Sequence, residues 1–174
     1  MKTLARILTL LAVSFIITTS QLTAQWIQTN SFYSGIVSCF AVSDTNLFAG
    51  NEGSGVFLST NNGVSWTATG LTNSDVRSLT VSGTNLFAGT EGNGVFLSTD
   101  NGASWTEVNS GLTNTYIRSL TVSGTNLFAG TWGGGVFLST NNGTSWTAVN
   151  NGLTSTYVYS LTVSGSNLFA GSSG

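Results

Sequence analysis

Histidine is absent from this chain of 174 residues, and charged side chains are few. Without histidine, the sequence lacks both the commonest general base and the commonest metal ligand of proteins. Only four Lys and Arg stand against six Asp and Glu, whereas nucleic-acid partners are bound mainly through clusters of cations. The composition therefore argues against a nucleic-acid partner.

Cysteine is represented by Cys39 alone, which excludes an internal disulfide framework. This residue lies in the apolar strand pattern from Val37 to Val42. A free cysteine in such a pattern is expected to be buried and unreactive.

The N-terminus resembles an export signal. Lys2 and Arg6 flank the start of an apolar run, and the small residue Ala24 precedes Gln25. This pattern predicts a signal peptide over residues 1–24, with a secreted mature chain that is periplasmic, on the cell surface or extracellular. The run is too short for a membrane span, so none is expected after cleavage, and a retained N-terminal anchor is the alternative. Removing the two cations takes the formal net charge from −2 to −4.

Against these absences stands a repeat. The segment Asn-Leu-Phe-Ala-Gly begins at Asn46, Asn85, Asn126 and Asn167, at intervals of 39, 41 and 41 residues. A period near 40 residues is typical of a repeated supersecondary unit. The first interval is two residues shorter, and the difference lies after Trp66, in the outgoing strand or in its loop.

Each unit predicts four short antiparallel strands, over residues 116–122, 126–131, 135–139 and 145–149 in the third copy. The Asn142-Gly143 pair favours a tight hairpin turn between the last two. Val95-Phe96-Leu97 places apolar side chains on both faces of a strand, as in a sheet stacked between two others. The sequence therefore predicts an all-β fold, a β-propeller of four-stranded antiparallel blades.

About 3.5 to 4 blades are predicted from this period. The mature chain, 25–174, divides into a lone strand (25–30, around Trp26), three blades (about 35–69, 75–109 and 116–150) and a partial blade (157–171). Either a four-bladed ring closes imperfectly, or the chain is the front part of a longer propeller, which is the interpretation we favour. An unclosed array exposes strand edges and an apolar face, which self-association could cover.

A further motif recurs within the units: Ser98 to Trp105 has the pattern Ser-x-Asp-x-Gly-x-Ser-Trp, and two other segments differ from it by Asn in place of Asp. The pattern resembles the Asp-box, or BNR repeat, of sialidase-like propellers. That resemblance covers essentially the whole mature chain and implies a hairpin between the third and fourth strands of a blade. The defining residues are Ser59, Asn61, Gly63 and Trp66; Ser98, Asp100, Gly102 and Trp105; and Ser139, Asn141, Gly143 and Trp146.

These box residues have structural roles by the same resemblance. The Asp or Asn side chain can accept hydrogen bonds from backbone N–H groups in its turn, the Gly permits left-handed backbone, and the Trp packs on neighbouring structure. A calcium loop is the alternative, but Asp100 is the only carboxylate in the three boxes. No metal and no cofactor are predicted.

A binding site is expected on the opposite face, because the loops there differ between repeats. Arg77, Arg118 and Tyr159 are equivalent positions, and so are Glu52, Glu91 and Trp132. If the first strand of each blade is innermost, these groups surround one mouth of the central channel. We predict a rim for a glycan, a peptide or an acidic group; the alternative is that these are ordinary solvated loop residues. The rim consists of Arg77, Arg118, Tyr116, Tyr157, Tyr159 and Trp132.

An enzyme is the competing class. The resemblance to sialidases implies an arginine cluster for the substrate carboxylate, a tyrosine nucleophile with a glutamate partner, and an aspartate acid. Arg77, Arg118, Tyr159, Glu91 and Asp75 supply similar residue types, but the third arginine is missing. We predict a non-enzymatic, secreted scaffold that binds a protein or a glycan. The alternatives are a sialidase-like glycoside hydrolase and a structural repeat that mediates self-assembly.

Overall fold

The computed structural model describes residues 35–72 and 74–173. All regular secondary structure in these two ranges is β-strand. The predicted signal peptide (1–24) and the predicted lone strand (25–30) lie outside the described residues.

Within 35–72 and 74–173, fourteen strands form four antiparallel sheets, each built from strands that follow one another in the chain. The predicted all-β fold of successive antiparallel blades is confirmed. Sheet 1 contains β1 (Val37–Ser43), β2 (Asn46–Asn51), β3 (Gly55–Ser59) and β4 (Thr67–Ala68); sheet 2 contains β5 (Val76–Ser82), β6 (Asn85–Thr90), β7 (Gly94–Ser98) and β8 (Thr106–Glu107); sheet 3 contains β9 (Ile117–Ser123), β10 (Asn126–Thr131), β11 (Gly135–Ser139) and β12 (Thr147–Ala148); and sheet 4 contains β13 (Val158–Ser164) and β14 (Asn167–Ser172).

Neighbouring sheets stack face to face, so the middle sheets are apolar on both sides. In sheet 2, Leu86 and Ala88 belong to the core shared with sheet 1, whereas Phe87 between them belongs to the core shared with sheet 3. Val95 and Phe96 divide in the same way between the two cores. Consecutive apolar residues are therefore all used, which is why these strands lack the alternation of a sheet with one wet face.

The first strand of each sheet lies next to the first strand of the following sheet, which places β1, β5, β9 and β13 innermost. Glycine at the end of the repeated Asn-Leu-Phe-Ala-Gly segment permits this approach. A Cβ at Gly89 would lie 2.5 Å from Cγ2 of Ile117 in the next sheet. The same contact joins Gly50 to Val76 and Gly130 to Val158.

The outermost strands are shorter than predicted. The sequence predicts a strand over 145–149, but β12 contains only Thr147 and Ala148. Its ladder ends because the backbone N–H of Val136 donates to the side-chain Oδ1 of Asn150 (2.7 Å) instead of to the neighbouring strand. A side chain that replaces a backbone partner terminates the pairing there.

The two-residue length difference between repeats lies in the loop and not in the outgoing strand. All three outer strands have two residues, but the loop after β4 spans 69–75, whereas the later loops span 108–116 and 149–157. In the short loop, the N–H of Val56 donates to the backbone carbonyl of Leu71 (3.0 Å). In the two longer loops, Asn109 and Asn150 supply the equivalent acceptor from a side chain.

Candidate functional site

The three boxes are hairpin turns closed by the same hydrogen bonds. In the second, the Oγ of Ser98 accepts from the N–H of Gly102 (2.8 Å) and donates to Oδ1 of Asp100 (2.8 Å). The N–H of Ser104 donates to the same carboxylate (2.9 Å). Asn101 and Gly102 both have positive φ, at 57° and 86°. The Asp side chain accepts from a backbone N–H and the glycine is left-handed in this box, and the residues of the other two boxes repeat this geometry.

Asp100 differs from its asparagine equivalents in one bond. It accepts from the hydroxyl of Ser104 through Oδ2 (2.5 Å), whereas Asn61 and Asn141 donate to the equivalent serines (2.9 Å). The hydrogen bonds from the Ser104 hydroxyl, the Ser104 N–H and the Ser98 hydroxyl lower the pKa of Asp100 to about 2. Asp100 is thus ionised at neutral pH and accepts hydrogen bonds within its own turn.

Two of the three box tryptophans, Trp105 and Trp146, pack towards the preceding sheet. Trp146 is buried in the core between sheets 2 and 3, and its Nε1 donates to the carbonyl of Val108 (2.7 Å). Trp105 packs against the core between sheets 1 and 2. Trp66 lies beside Phe40, with ring centroids 6.2 Å apart.

The rim lies at the other end of the strands, where the structure places the predicted residues on two kinds of position. Arg77, Arg118 and Tyr159 are the second residues of β5, β9 and β13. Trp132 follows β10, and its backbone forms a bridge with Tyr157 just before β13. A matching bridge joins Glu91 to Tyr116. The turn after the second strand of one sheet is therefore hydrogen-bonded to the residues that precede the first strand of the next sheet.

Two glutamates that were not predicted as rim residues lie among them and pair with the arginines. Arg77 donates to Glu52 through Nη1 and to Glu91 through Nε (2.6 Å). Arg118 donates to the other oxygen of Glu91 through Nη2 (3.0 Å). All four side chains are about one quarter exposed. This half of the rim is a chain of alternating charges without net charge.

Comparison of the repeats places these glutamates at the same mouth of the channel, because Glu52, Glu91 and Trp132 occupy equivalent positions. Comparison of the repeats could not predict which arginine pairs with which glutamate. Each arginine reaches back to the turn of the preceding sheet, so the contact depends on how the sheets stack.

The other half of the rim, around Trp132, consists of aromatic side chains. The guanidinium carbon of Arg118 lies 4.9 Å from the centroid of the Trp132 ring, which takes the position of a third glutamate. The rings of Tyr157 and Tyr159 meet the same indole edge to face, with centroids 5.4 and 5.3 Å away. All three rings are exposed. Cation–π and edge-to-face contacts of this kind hold aromatic side chains in a fixed arrangement.

Tyr116 is the predicted rim residue that stands apart. Its side chain is exposed, and its backbone N–H donates to Oδ1 of Asn114 (3.0 Å). It borders the aromatic group through its carbonyl, which accepts from the N–H of Trp132 (2.9 Å).

The described residues contain no cluster of metal-binding side chains, and their one cysteine is partly buried. Within 35–72 and 74–173, no three side chains among Cys, Asp and Glu come together as a metal site. Cys39 is partly buried beside the core of sheets 1 and 2, and burial raises the pKa of its thiol above the usual 9.0. In the same part of the chain, no helix is long and apolar enough to cross a membrane.

Sheets stacked around a common axis, with the first strand of each innermost, define the class of this protein as a β-propeller. Solved structures agree with this fold. The computationally designed Ika4 protein has a TM-score of 0.68 at 13% identity, over 86% of this chain and 93% of its own. An ancestral GH74 enzyme has a TM-score of 0.64 at 25% identity, over 79% of this chain. The extracellular domain of a B. thetaiotaomicron protein has a TM-score of 0.64 at 18% identity, over 78% of this chain.

The chain spans most of Ika4 but only 22% of the GH74 enzyme and 20% of the B. thetaiotaomicron domain. The sequence matches no family model and no curated protein. At these identities the structural neighbours establish the propeller fold and not the function.

Proposed function

We propose that this chain is a secreted, non-enzymatic Asp-box propeller scaffold that binds a glycan or a protein through the rim. The observation that carries the proposal is the exposed aromatic group of Trp132, Tyr157 and Tyr159, held beside Arg118 at the mouth of the innermost strands. Exposed aromatic faces in fixed positions suit sugar rings and the anchor side chains of protein partners.

The charges of the rim favour a neutral ligand. Arg77 is shared between Glu52 and Glu91, so its donors are engaged by carboxylates already present. Arg118 has one carboxylate partner and one aromatic partner. An acidic ligand would have to displace a glutamate from Arg77 and would meet the repulsion of Glu91 at Arg118, whereas a neutral ligand would do neither.

The same pairing argues against a sialidase-like hydrolase. That activity needs arginines available for the substrate carboxylate, and here the two arginines hold glutamates. Release of fluorophore from a fluorogenic sialoside, abolished by Tyr159→Phe, would contradict the proposal of a non-enzymatic scaffold.

Export and protein binding have indirect support. The N-terminal sequence has the charge and apolar pattern of a signal peptide, and one structural neighbour is an extracellular domain. YCF48, whose structure bound to D1 peptide has a TM-score of 0.56 at 14% identity, is a propeller-like neighbour with a peptide ligand of its own. That likeness concerns the fold, and it leaves the ligand of this chain to experiment.

The test is a binding screen with matched variants. Arrays of neutral and sialylated oligosaccharides and a displayed random peptide library would be probed with the purified chain. For a ligand found in this way, Trp132→Ala should weaken binding by about tenfold or more, because it removes the ring around which the group is arranged. The matched control is Val149→Ala, since Val149 is also an exposed apolar residue of sheet 3 but lies beyond its outer strand.

Equal binding by wild type and Trp132→Ala would overturn the assignment of the rim. Selective binding to sialylated glycans, lost in Arg118→Ala but retained in Trp132→Ala, would replace the neutral ligand by an acidic one. An absence of binding in both screens would contradict the proposal as a whole.

A further inference from the structure

Sheets 1 and 4 are the first and last sheets of the described array. Each exposes one of the two surfaces through which neighbouring sheets stack within the chain. Phe48 and Phe87 occupy the same repeat position and are completely buried, because the next sheet covers them. Phe169 occupies that position in sheet 4 and is 53% exposed. In sheet 4, the face that would pack on a following sheet, which we call the trailing surface, is therefore exposed.

In sheet 1, the face that would pack on a preceding sheet, which we call the leading surface, is exposed as well. Leu79, Leu120 and Leu161 occupy one repeat position, face the preceding sheet, and are between 6% and 9% exposed. Phe40 is their equivalent and is 57% exposed, with Val42 exposed beside it. The first and last sheets thus do not cover each other as neighbouring sheets do.

At each contact between neighbouring sheets, a glycine of one sheet makes room for a β-branched side chain of the next. Sheet 4 has an equivalent glycine and sheet 1 an equivalent valine, and neither has this partner within the described residues. At Gly130, the missing side chain makes room for Val158 of the next sheet, which is 1% exposed. Gly171 is the equivalent glycine in sheet 4, and an added Cβ there would meet only atoms of Ser160 in its own sheet. Val37, the equivalent of Val158, is only partly buried.

A hydrogen bond also repeats. The N–H of Leu120 donates to Oγ of Ser78 in the preceding sheet (2.9 Å), and the N–H of Leu161 donates to Oγ of Ser119 (2.9 Å). Ser160 is the equivalent serine in sheet 4 and is exposed. The N–H of Phe40 is the equivalent donor at the other end.

Charge does not oppose association at either end. The sequences of β1, β2, β13 and β14 contain no charged residue. Exposed strands and apolar sheet faces are usually protected by charged side chains against pairing with other chains. Here that protection is missing at the two surfaces that complement each other.

We propose that a second copy of this chain docks head to tail, with its sheet 1 stacked on sheet 4 of the first. The contact would continue the internal stacking, with Phe169 covered by the second copy, its Val37 above Gly171, and its Phe40 N–H on Ser160. Because the two surfaces differ, the contact is heterologous, and repeating it builds a ring or an open filament. This surface is distinct from the rim, so the proposal does not depend on the proposed function.

The test combines two variants that each block one end. Phe169→Asp should abolish the trailing surface, and Phe40→Asp the leading one, each weakening association by about 100-fold as measured by sedimentation velocity over a concentration series. When mixed, the two variants should form a dimer that cannot extend, because each retains the surface that the other has lost. Val42→Asp provides a second leading-end variant, since Phe40 also lies against Trp66 within its own sheet.

Val149→Asp is the control, because Val149 is also exposed but follows β12 of sheet 3, which is neither the first nor the last sheet. It should associate like wild type. A wild-type chain that is monomeric at every concentration would overturn the proposal, since the ends would then be covered within one molecule or not at all. Undiminished association of Phe169→Asp, or mixed variants that remain monomers although each gives the circular dichroism spectrum of the wild type, would overturn it as well.

Discussion

The box hairpins and the rim lie at opposite ends of the same strands, yet they differ in how closely the repeats agree. The three boxes share positive φ values and a Gly N–H to Ser Oγ hydrogen bond of 2.8 Å, and their defining residues differ only by Asp or Asn at one position. The rim changes from Glu and Arg at one end of the array to Trp and Tyr at the other. A turn that must close each blade tolerates little change, whereas loops carried on a finished scaffold are free to diverge.

The largest effect is expected from a box glycine. Gly143→Ala should destabilise the fold by about 3 kcal/mol, because its φ is +81° and its Cβ would lie 2.8 Å from Cγ2 of Val108. Gly124→Ala is the matched control: its φ is +59°, but no atom lies within 4 Å, so only the backbone cost of about 1 kcal/mol remains. Urea denaturation measures both. Equal losses would show that the turn is not packed against the preceding sheet.

A box serine comes next. Ser98→Ala should cost about 2 kcal/mol, because Ser98 is buried and its loss leaves the N–H of Gly102 without an acceptor. Ser104→Ala removes an exposed hydroxyl from the same turn and should cost about 0.5 kcal/mol. The same denaturation series compares them, and a larger loss for Ser104→Ala would reverse the roles assigned to the two serines.

A rim charge should matter less for stability. Glu91→Gln removes the carboxylate shared by Arg77 and Arg118, and we expect a loss of about 1 kcal/mol, since the pairs are partly exposed. Glu107→Gln, on an exposed outer strand, should be neutral. Added salt should shrink the difference between wild type and Glu91→Gln. A loss as large as that of the box glycine would mean that the rim is structural.

The smallest effect separates one box from the other two. The pKa of Asp100 falls from its usual 3.8 to about 2 on folding, so its stabilising contribution is complete above pH 4 and is lost as the pH falls towards 2. Asp100→Asn should remove this part of the acid dependence and restore the bond pattern of Asn61 and Asn141. Urea midpoints measured between pH 2 and 6 test this. Parallel curves for wild type and variant would contradict the lowered pKa.

The regular strands were largely predictable from the sequence, because apolar runs between glycines repeat at a fixed period. The second and third strands of the third unit, predicted over 126–131 and 135–139, have those bounds in the structure. The outer strand was predicted too long at both ends. At its start, the N–H groups of Ser145 and Trp146 donate to Asn141 and Ser110, and at its end the side chain of Asn150 competes with the backbone for the N–H of Val136.

The candidate site was predictable in part. Comparison of repeats brought Arg77, Arg118, Trp132 and the tyrosines to one face, and the structure places them there. Their interactions were not predictable, because each crosses from one sheet to the next. The hypothesis that the rim binds a ligand stays a prediction.

The sequence by itself determined the repeated unit, the turn chemistry of the boxes and the face on which the units differ, because these depend on residues close together in the chain. Only the tertiary structure decided that the two arginines are held by glutamates, and that Phe40 and Phe169 are left uncovered at opposite ends. Those outcomes depend on contacts between one sheet and the next, and the residues that make them meet only once the sheets have stacked.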